Sequence, residues 1–192
     1  MRALFALFAL GVILVTGGCS QVSVQTDFDP SADFKALKTY AWYEAEQPQS
    51  GDPRVDNPIL DQRVRTTVET VLTEKGYQKV AAAPDFLLVY HAAVSKEIGV
   101  ATSSTPAYPA GYYGWYYTAP PMWVDQSYSY TYNQGTLILD VVDAKSEKLI
   151  WRGSAQANVD DPNTQQQRKN LMNEAVRGML GNFPPKAGRS GN

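Results

Sequence analysis

The chain has 192 residues, of which 44% are hydrophobic and 19% are charged, and its formal net charge is −2. This length suits one domain that can bury a substantial core without disulfide bonds. The near balance of charges excludes the basic face that nucleic-acid binding requires, so no nucleic-acid partner is expected. The single cysteine and single histidine exclude an internal disulfide and most catalytic or metal sites built on those residues.

The first eighteen residues have the pattern of an export signal. Arg2 supplies a positive start, Ala3–Val15 is an unbroken run of apolar residues and glycine, and small residues then precede Cys19. Thirteen helical residues cover roughly 20 Å, which is short of the ~30 Å hydrocarbon core of a bilayer. The run therefore favours a secretory signal over a membrane-spanning helix.

The residues before Cys19 resemble a lipobox, the processing motif of bacterial lipoproteins. Gly17-Gly18 fits the small-residue positions, whereas Thr16 stands where leucine is commoner. The resemblance implies cleavage before Cys19, diacylglycerol on its thiol and a membrane as the first partner. Ser20 replaces the aspartate that retains enteric lipoproteins at the inner membrane, so the periplasmic face of the outer membrane is favoured in a Gram-negative source.

Processing at this position divides the precursor into two parts. Residues 1–18 are predicted to be a signal peptide and residues 19–21 a lipidated N-terminus. Removing the signal takes away Arg2 and no acidic residue, so the net charge of the mature chain becomes −3.

The mature chain begins with two predicted strands and a helix. Val22–Phe28 alternates apolar and polar residues, and Leu37–Tyr43 is rich in aromatic and β-branched residues. Residues 44–56 contain Pro and Gly and indicate a loop. Asn57-Pro58 then favours a helix start, because Asn caps free N–H groups and Pro loses no hydrogen bond at the first position. Gly76 suits the left-handed residue that follows a helix.

Three more strands and a second helix are predicted after this. The strands are Asp85–Val94, Gly135–Asp143 and Leu149–Val159, and a polar turn joins the last two as a hairpin. Asp161-Pro162 repeats the cap-and-proline pattern before an amphipathic segment that ends near Gly181.

This order of elements predicts one α+β domain over residues 22–185. We expect a mainly antiparallel sheet of about five strands, two helices packed on one face, and an aromatic-rich insertion at residues 101–134. Residues 186–192 are predicted to be a disordered tail.

Several short motifs resemble, in order and spacing, the domain-of-unknown-function 4136 family of bacterial lipoproteins. The motifs are Asp33-Phe34, Lys38-Thr39-Tyr40-Ala41-Trp42, Gly76-Tyr77, Pro84-Asp85-Phe86, Gly135-Thr136-Leu137, Leu149-Ile150-Trp151-Arg152-Gly153 and Phe183-Pro184-Pro185. The resemblance covers roughly residues 22–185 and implies a lipoprotein with a single α+β domain. It supplies no shared activity, ligand or catalytic residue.

Tyr108–Tyr132 is the most unusual segment of the chain. It holds eight of the twelve tyrosines and two of the four tryptophans, and its one charged residue is Asp125. Such rings suit stacking on sugars, a protein interface or lipid headgroups. They suit equally an insertion that covers the sheet edge, packs on the domain or forms a loose loop. If the segment binds, the candidate residues are Tyr112, Tyr113, Trp115, Tyr116, Tyr117 and Trp123.

The sequence indicates no catalytic residue, cofactor or metal site. His91 lies in a predicted strand without a nominated partner, so it is interpreted as structural or half-exposed. Glycoside hydrolysis needs two facing acids, one with a raised pKa. The clustered acids are interpreted as turn and cap residues at strand ends and helix starts; they are Asp27, Asp29, Asp33, Asp140, Asp143, Asp160 and Asp161.

The resulting interpretation is a noncatalytic binding module held at the envelope by lipid. Its partner is expected to be an envelope protein or a peptidoglycan glycan. Two alternatives stay open, namely an envelope glycan hydrolase that uses paired carboxylates and a purely structural envelope lipoprotein.

Lipidation of Cys19 is directly testable. Cys19→Ser removes the thiol that accepts diacylglycerol, so the protein should move from the membrane fraction to the soluble periplasm or remain unprocessed. Fractionation and gel migration measure this, and mass spectrometry of the native N-terminus measures the modification itself. A variant that fractionates and migrates like the wild type would contradict lipidation.

Overall fold

The computed structural model describes residues 22–43, 50–107, 122–160 and 164–186. Along the chain the elements are β1 (Val22–Phe28), β2 (Thr39–Trp42), α1 (Pro58–Glu74), β3 (Gln78–Lys79), β4 (Phe86–Ala107), β5 (Met122–Asp143), β6 (Leu149–Asn158) and α2 (Gln165–Gly181). The predicted signal peptide, Cys19 and residues 187–192 lie outside the described ranges. Within those ranges no helix is long and apolar enough to cross a membrane.

The six strands form one mixed sheet in the order β1-β6-β5-β4-β2-β3. The first four of these pair antiparallel, whereas β2 runs parallel to both β3 and β4. The α+β class is confirmed, but the expectation of about five mainly antiparallel strands was wrong. Strand β3 has only two residues, too few to show a period, and α1 supplies the crossover that parallel pairing requires.

Capping residues set the beginning and end of the first helix. The Asn57 side chain accepts a hydrogen bond from the Leu60 amide at 3.0 Å, and Pro58 occupies the first helical position. Gly76 follows the helix with a φ of +88°, a conformation that glycine adopts without strain. Both boundaries agree with the prediction.

The second helix begins later than predicted. Thr164, not Asp161, is the N-cap, and its side chain accepts from the amide of Gln167 while the Gln167 side chain accepts from the Thr164 amide. This reciprocal capping box satisfies two N–H groups that a helix start leaves free. Residues 161–163 lie outside the described part of the chain.

Both helices pack on one face of the sheet around a cluster of aromatic rings. Phe183, which follows α2, is fully buried at the centre of this cluster. Its ring centroid lies 5.3 Å from Trp151, 5.5 Å from Tyr77, 5.7 Å from Phe86 and 6.1 Å from Phe34. Because such ring pairs contribute about 0.5–1.5 kcal/mol each beyond area burial, this cluster holds the end of α2 on the sheet.

Gly153 allows α2 to approach the sheet closely. A Cβ atom at this position would lie 2.5 Å from the Trp151 ring and 3.0 Å from the Met179 Cβ. Trp151 and Met179 are themselves fully buried, so neither can move into solvent to make room.

Gly153→Ala should therefore destabilise the fold by about 1–3 kcal/mol, the usual range for overpacking a core. The midpoint of urea unfolding measures the effect. Gly181→Ala is the matched control, because a Cβ atom there meets nothing within 4 Å. Equal midpoints for the two variants would show that α2 does not depend on the close approach at Gly153.

Candidate functional site

Strands β4 and β5 extend beyond the rest of the sheet as a two-stranded ribbon. They pair without interruption from Phe86 with Asp143 to Ala107 with Met122, whereas pairing of β6 with β5 ends at Gln134. Residues 97–107 and 122–132 thus form an arm of two strands, about 35 Å long at ~3.3 Å per residue. The described parts of the predicted insertion, 101–107 and 122–134, are strand.

Hydrogen bonds fasten the base of the arm to the body. The Asn133 amide donates to the Asp160 carboxylate at 2.7 Å, and the Val159 amide donates to the Asn133 carbonyl at 2.9 Å. Arg54, which precedes α1, donates to the Asn133 side chain at 3.2 Å. Hydrogen bonds from Asn133 also lower the pKa of Asp160, so the carboxylate form that makes these contacts is favoured.

One face of the arm carries a row of tyrosines. Tyr128, Tyr130 and Tyr132 alternate along β5, with ring centroids 6.5 Å and 5.9 Å apart. The Tyr130 ring lies over Gly99 of β4, where a Cβ atom would be only 2.5 Å from the ring. Tyr128 is 58% exposed and Tyr130 is 47% exposed, so the rings pack on the ribbon while much of their surface meets solvent.

The other face of the arm carries aliphatic residues and a tryptophan. Three residues, Ile98, Val100 and Trp123, lie on the opposite face of the ribbon from the tyrosines. All three are exposed, and Trp123 is 64% exposed. Of the ten large hydrophobic side chains exposed among the described residues, seven lie on the arm. Exposed apolar surface is therefore concentrated on this one element.

The structure places one predicted binding residue on this surface. Trp123 is exposed near the described end of the arm, while the other five candidates, Tyr112, Tyr113, Trp115, Tyr116 and Tyr117, lie outside the described residues. Tyr128 and Tyr130 were not among the predicted binding residues. Their spacing of two residues, continued at Tyr132, was the signal that could have placed them on one strand face.

An ion pair lies on the tyrosine-bearing face of the sheet, within the body and eight residues along β5 from Tyr132. Asp140 is 5% exposed and accepts two hydrogen bonds from Arg152, each 2.7 Å long. The Asp140 carboxylate raises the pKa of Arg152. The interpretation of Asp140 as a strand-end acid was wrong, because it lies within β5 opposite Arg152 of β6. His91 is half-exposed, with its Nε2 atom 3.8 Å from Asp140.

The other described acids of these clusters also accept hydrogen bonds, which are local except at Asp160, whose donor is Asn133. Such bonds lower the pKa of Asp29, Asp143 and Asp160, and Asp33 accepts from the Lys35 amide at 3.1 Å. A glycosidase acid needs the opposite shift, a raised pKa. Among the residues that the structure describes, no group of three or more His, Cys, Asp or Glu side chains could hold a metal ion. These carboxylates give the paired-acid hydrolase no support.

Comparisons with known proteins identify a family and a fold. The family model "Domain of unknown function (DUF4136)" matches residues 24–185. No curated protein matches the chain. A PDZ domain protein from Parabacteroides distasonis ATCC 8503 is similar in structure, with a TM-score of 0.53 and 18% identity, over 88% of this chain but only 38% of that chain. At this identity the similarity shows the fold alone.

A weaker structural similarity is to the PelC dodecamer from Paraburkholderia phytofirmans. Two crystal forms, one of them of a point variant, have TM-scores of 0.45 and identities of 8% and 9%, over 83% of this chain and 94% of that chain. A similarity of this degree supports no conclusion about assembly or activity.

The arm should be separable from the body. Replacing residues 98–131 by Asn-Gly joins Glu97 to Tyr132, which face each other in the ladder, by a two-residue hairpin turn. The described residues of the arm pair with each other and most of their side chains are exposed, so the free energy of unfolding should change by no more than about 1 kcal/mol. Urea unfolding followed by circular dichroism measures this. Loss of a cooperative transition would instead assign the arm to the core.

Proposed function

The chain belongs to the DUF4136 family, and we propose that this member is a noncatalytic, lipid-anchored protein of the cell envelope whose arm binds another envelope protein. The lipobox resemblance at Cys19 supports the anchor, and Ser20 supports a position on the periplasmic face of the outer membrane.

The observation that carries the binding proposal is the concentration of exposed apolar side chains on the arm. Soluble surfaces rarely gather such side chains without a partner, and tyrosine and tryptophan are enriched where binding energy concentrates. A two-stranded ribbon is also only marginally stable by itself. A partner that covers the arm would bury its rings and stabilise the ribbon.

The chemistry of the arm favours a protein partner. Glu97 and Asp125 are its only charged residues, so it lacks the Lys and Arg side chains that attract anionic lipid surfaces. Ile98 and Val100 present aliphatic surface, which suits a protein interface better than a sugar ring. The Tyr128 and Tyr130 rings are tilted by 47° to each other and do not form one flat platform for a glycan.

The start of β1, three residues after the proposed anchor in the sequence, lies at the same end of the sheet as the arm. Val22, the first residue of β1, pairs with Ala157, which in turn pairs with Gly135 next to the base of the arm. Lipid on Cys19 would hold this end close to the bilayer. A partner in or near the same membrane would therefore meet the arm.

Site-specific photo-crosslinking in the native cells tests this proposal. A photoreactive residue at Tyr128 should give a discrete crosslinked envelope protein, whereas the same residue at Leu149 should not. Leu149 is the matched control, because it is 44% exposed and begins β6 at the end of the sheet away from the arm. Absence of a product at Tyr128, or the same product at both positions, would contradict it. Attachment of the Tyr128 variant to peptidoglycan sacculi would assign the arm to a glycan instead.

A further inference from the structure

The two helices and the sheet enclose a groove at the arm end of the body. Its volume is about 810 Å³, and it lies between the first turns of α1 and α2 above β4, β5 and β6. Leu60, Leu171 and Met172 line its sides, and Leu137 lines its floor. This volume is typical of sites that bind small molecules.

Small side chains leave this space open. On the helix-covered face of β4, Leu88 fills the core, whereas Ala92 lies under the groove. On the same face of β6, Trp151 lies in the core, whereas Ala155 and Ala157 line the groove. The core thus changes from large to small residues as it approaches the arm. The groove results from this choice of residues and not from a break in the sheet, because the β5–β6 pairing continues beneath it.

Positive charge predominates around the apolar floor. Among the described residues, Arg54, Arg63 and Arg168 line the groove, together with one acid, Asp160. Arg54 is held by Asp52, while Arg63 forms no salt bridge with any residue in the described ranges. The first turn of α2 holds no acidic residue, so the N-terminus of this helix, although capped by Thr164, adds partial positive charge.

We propose that the groove binds an amphiphile with an acyl chain and an anionic head group. The chain would lie on the small apolar residues of the floor, and Arg63 and Arg168 would contact the head group. Because arginines outnumber acids among the described residues of the lining, an anion is favoured there over a cation of similar length.

The position of the groove indicates where such a ligand would come from. Val22 lines it, and Cys19 is only three residues earlier, a reach of about 10 Å. If the lipid anchor of the proposed function is correct, the groove opens beside the bilayer, which supplies both fatty acids and phospholipids. This source rests on the proposed function, whereas the preference for an anionic amphiphile does not.

Calorimetric titration with two detergents of similar tail length and opposite charge tests the ligand chemistry. The protein is the mature chain, residues 19–192, with Cys19→Ser; it retains every described element. Below their micellar concentrations, dodecanoate should bind one to one and at least about tenfold more tightly than dodecyltrimethylammonium, a difference of ~1.4 kcal/mol. Equal affinities, or no binding of dodecanoate, would overturn the proposal.

Paired substitutions on α2 locate the site. Arg168→Gln should weaken dodecanoate binding about tenfold, because charged hydrogen bonds contribute on that scale. Lys169→Gln removes the same charge from the next residue, which is exposed but does not line the groove, and should change nothing. Arg63→Gln, a substitution on α1, should weaken dodecanoate binding in the same way. Equal effects of Arg168→Gln and Lys169→Gln on dodecanoate affinity would overturn the proposal that the ligand binds in this groove.

Filling the floor tests the apolar half independently. Ala157→Phe should abolish dodecanoate binding, provided that circular dichroism shows the wild-type fold; if it does not fold, Ala92→Val is the milder variant. Retained wild-type affinity in a folded filled variant would overturn the proposal.

Vesicles distinguish the two sources of ligand. Arg168-dependent sedimentation with phosphatidylglycerol vesicles, but not with phosphatidylcholine vesicles, would assign the ligand to the bilayer, and dodecanoate binding without sedimentation would assign it to free fatty acid. None of these assays uses the arm or the Cys19 lipid. Failure here therefore stays distinct from failure of the crosslinking or fractionation experiments.

Discussion

The uninterrupted pairing of β4 with β5 is the constraint on which the rest of the structure depends. One register runs from the core to the end of the described arm. Because side chains alternate with a period of two, a slip of one residue would turn every side chain to the opposite face. The register that buries Leu88 and Leu139 under the helices therefore also places Tyr128 and Tyr130 on the face without helices.

The pairing of β4 with β5 runs between two ends of the body that differ in how tightly they are packed. At one end, Phe183 and the rings around it fill the space between α2 and the sheet, so little freedom remains there. At the other end, Ala92 and Ala157 leave a groove, and the arm, the first residue of β1 and the starts of both helices meet around it. The proposed binding surfaces thus lie where packing does not already determine each side chain, and the aromatic cluster supplies stability at a distance.

Local signals in the sequence were sufficient for several elements. Asn57-Pro58 and Gly76 predicted the ends of α1 because caps depend on residues within one turn, and the ordered motifs predicted the family that matches residues 24–185. Prediction failed at β3, because its two residues become a strand only beside β2, which is distant in sequence. It failed at the start of α2 for a different reason: Thr164 and Gln167 have the local spacing of a capping box, but Asp161-Pro162 offered a competing local signal.

Composition and period by themselves determined the α+β class, the near balance of charges, and the unusual density of rings between Tyr108 and Tyr132. The tertiary structure alone decided that the flanks of that segment form an arm, that Asp140 pairs with Arg152, and that arginines from separate elements surround one groove. The physical reason is that caps and alternation are properties of neighbouring residues. Strand register, buried charge pairs and cavities depend on contacts between residues that only the folded chain brings together.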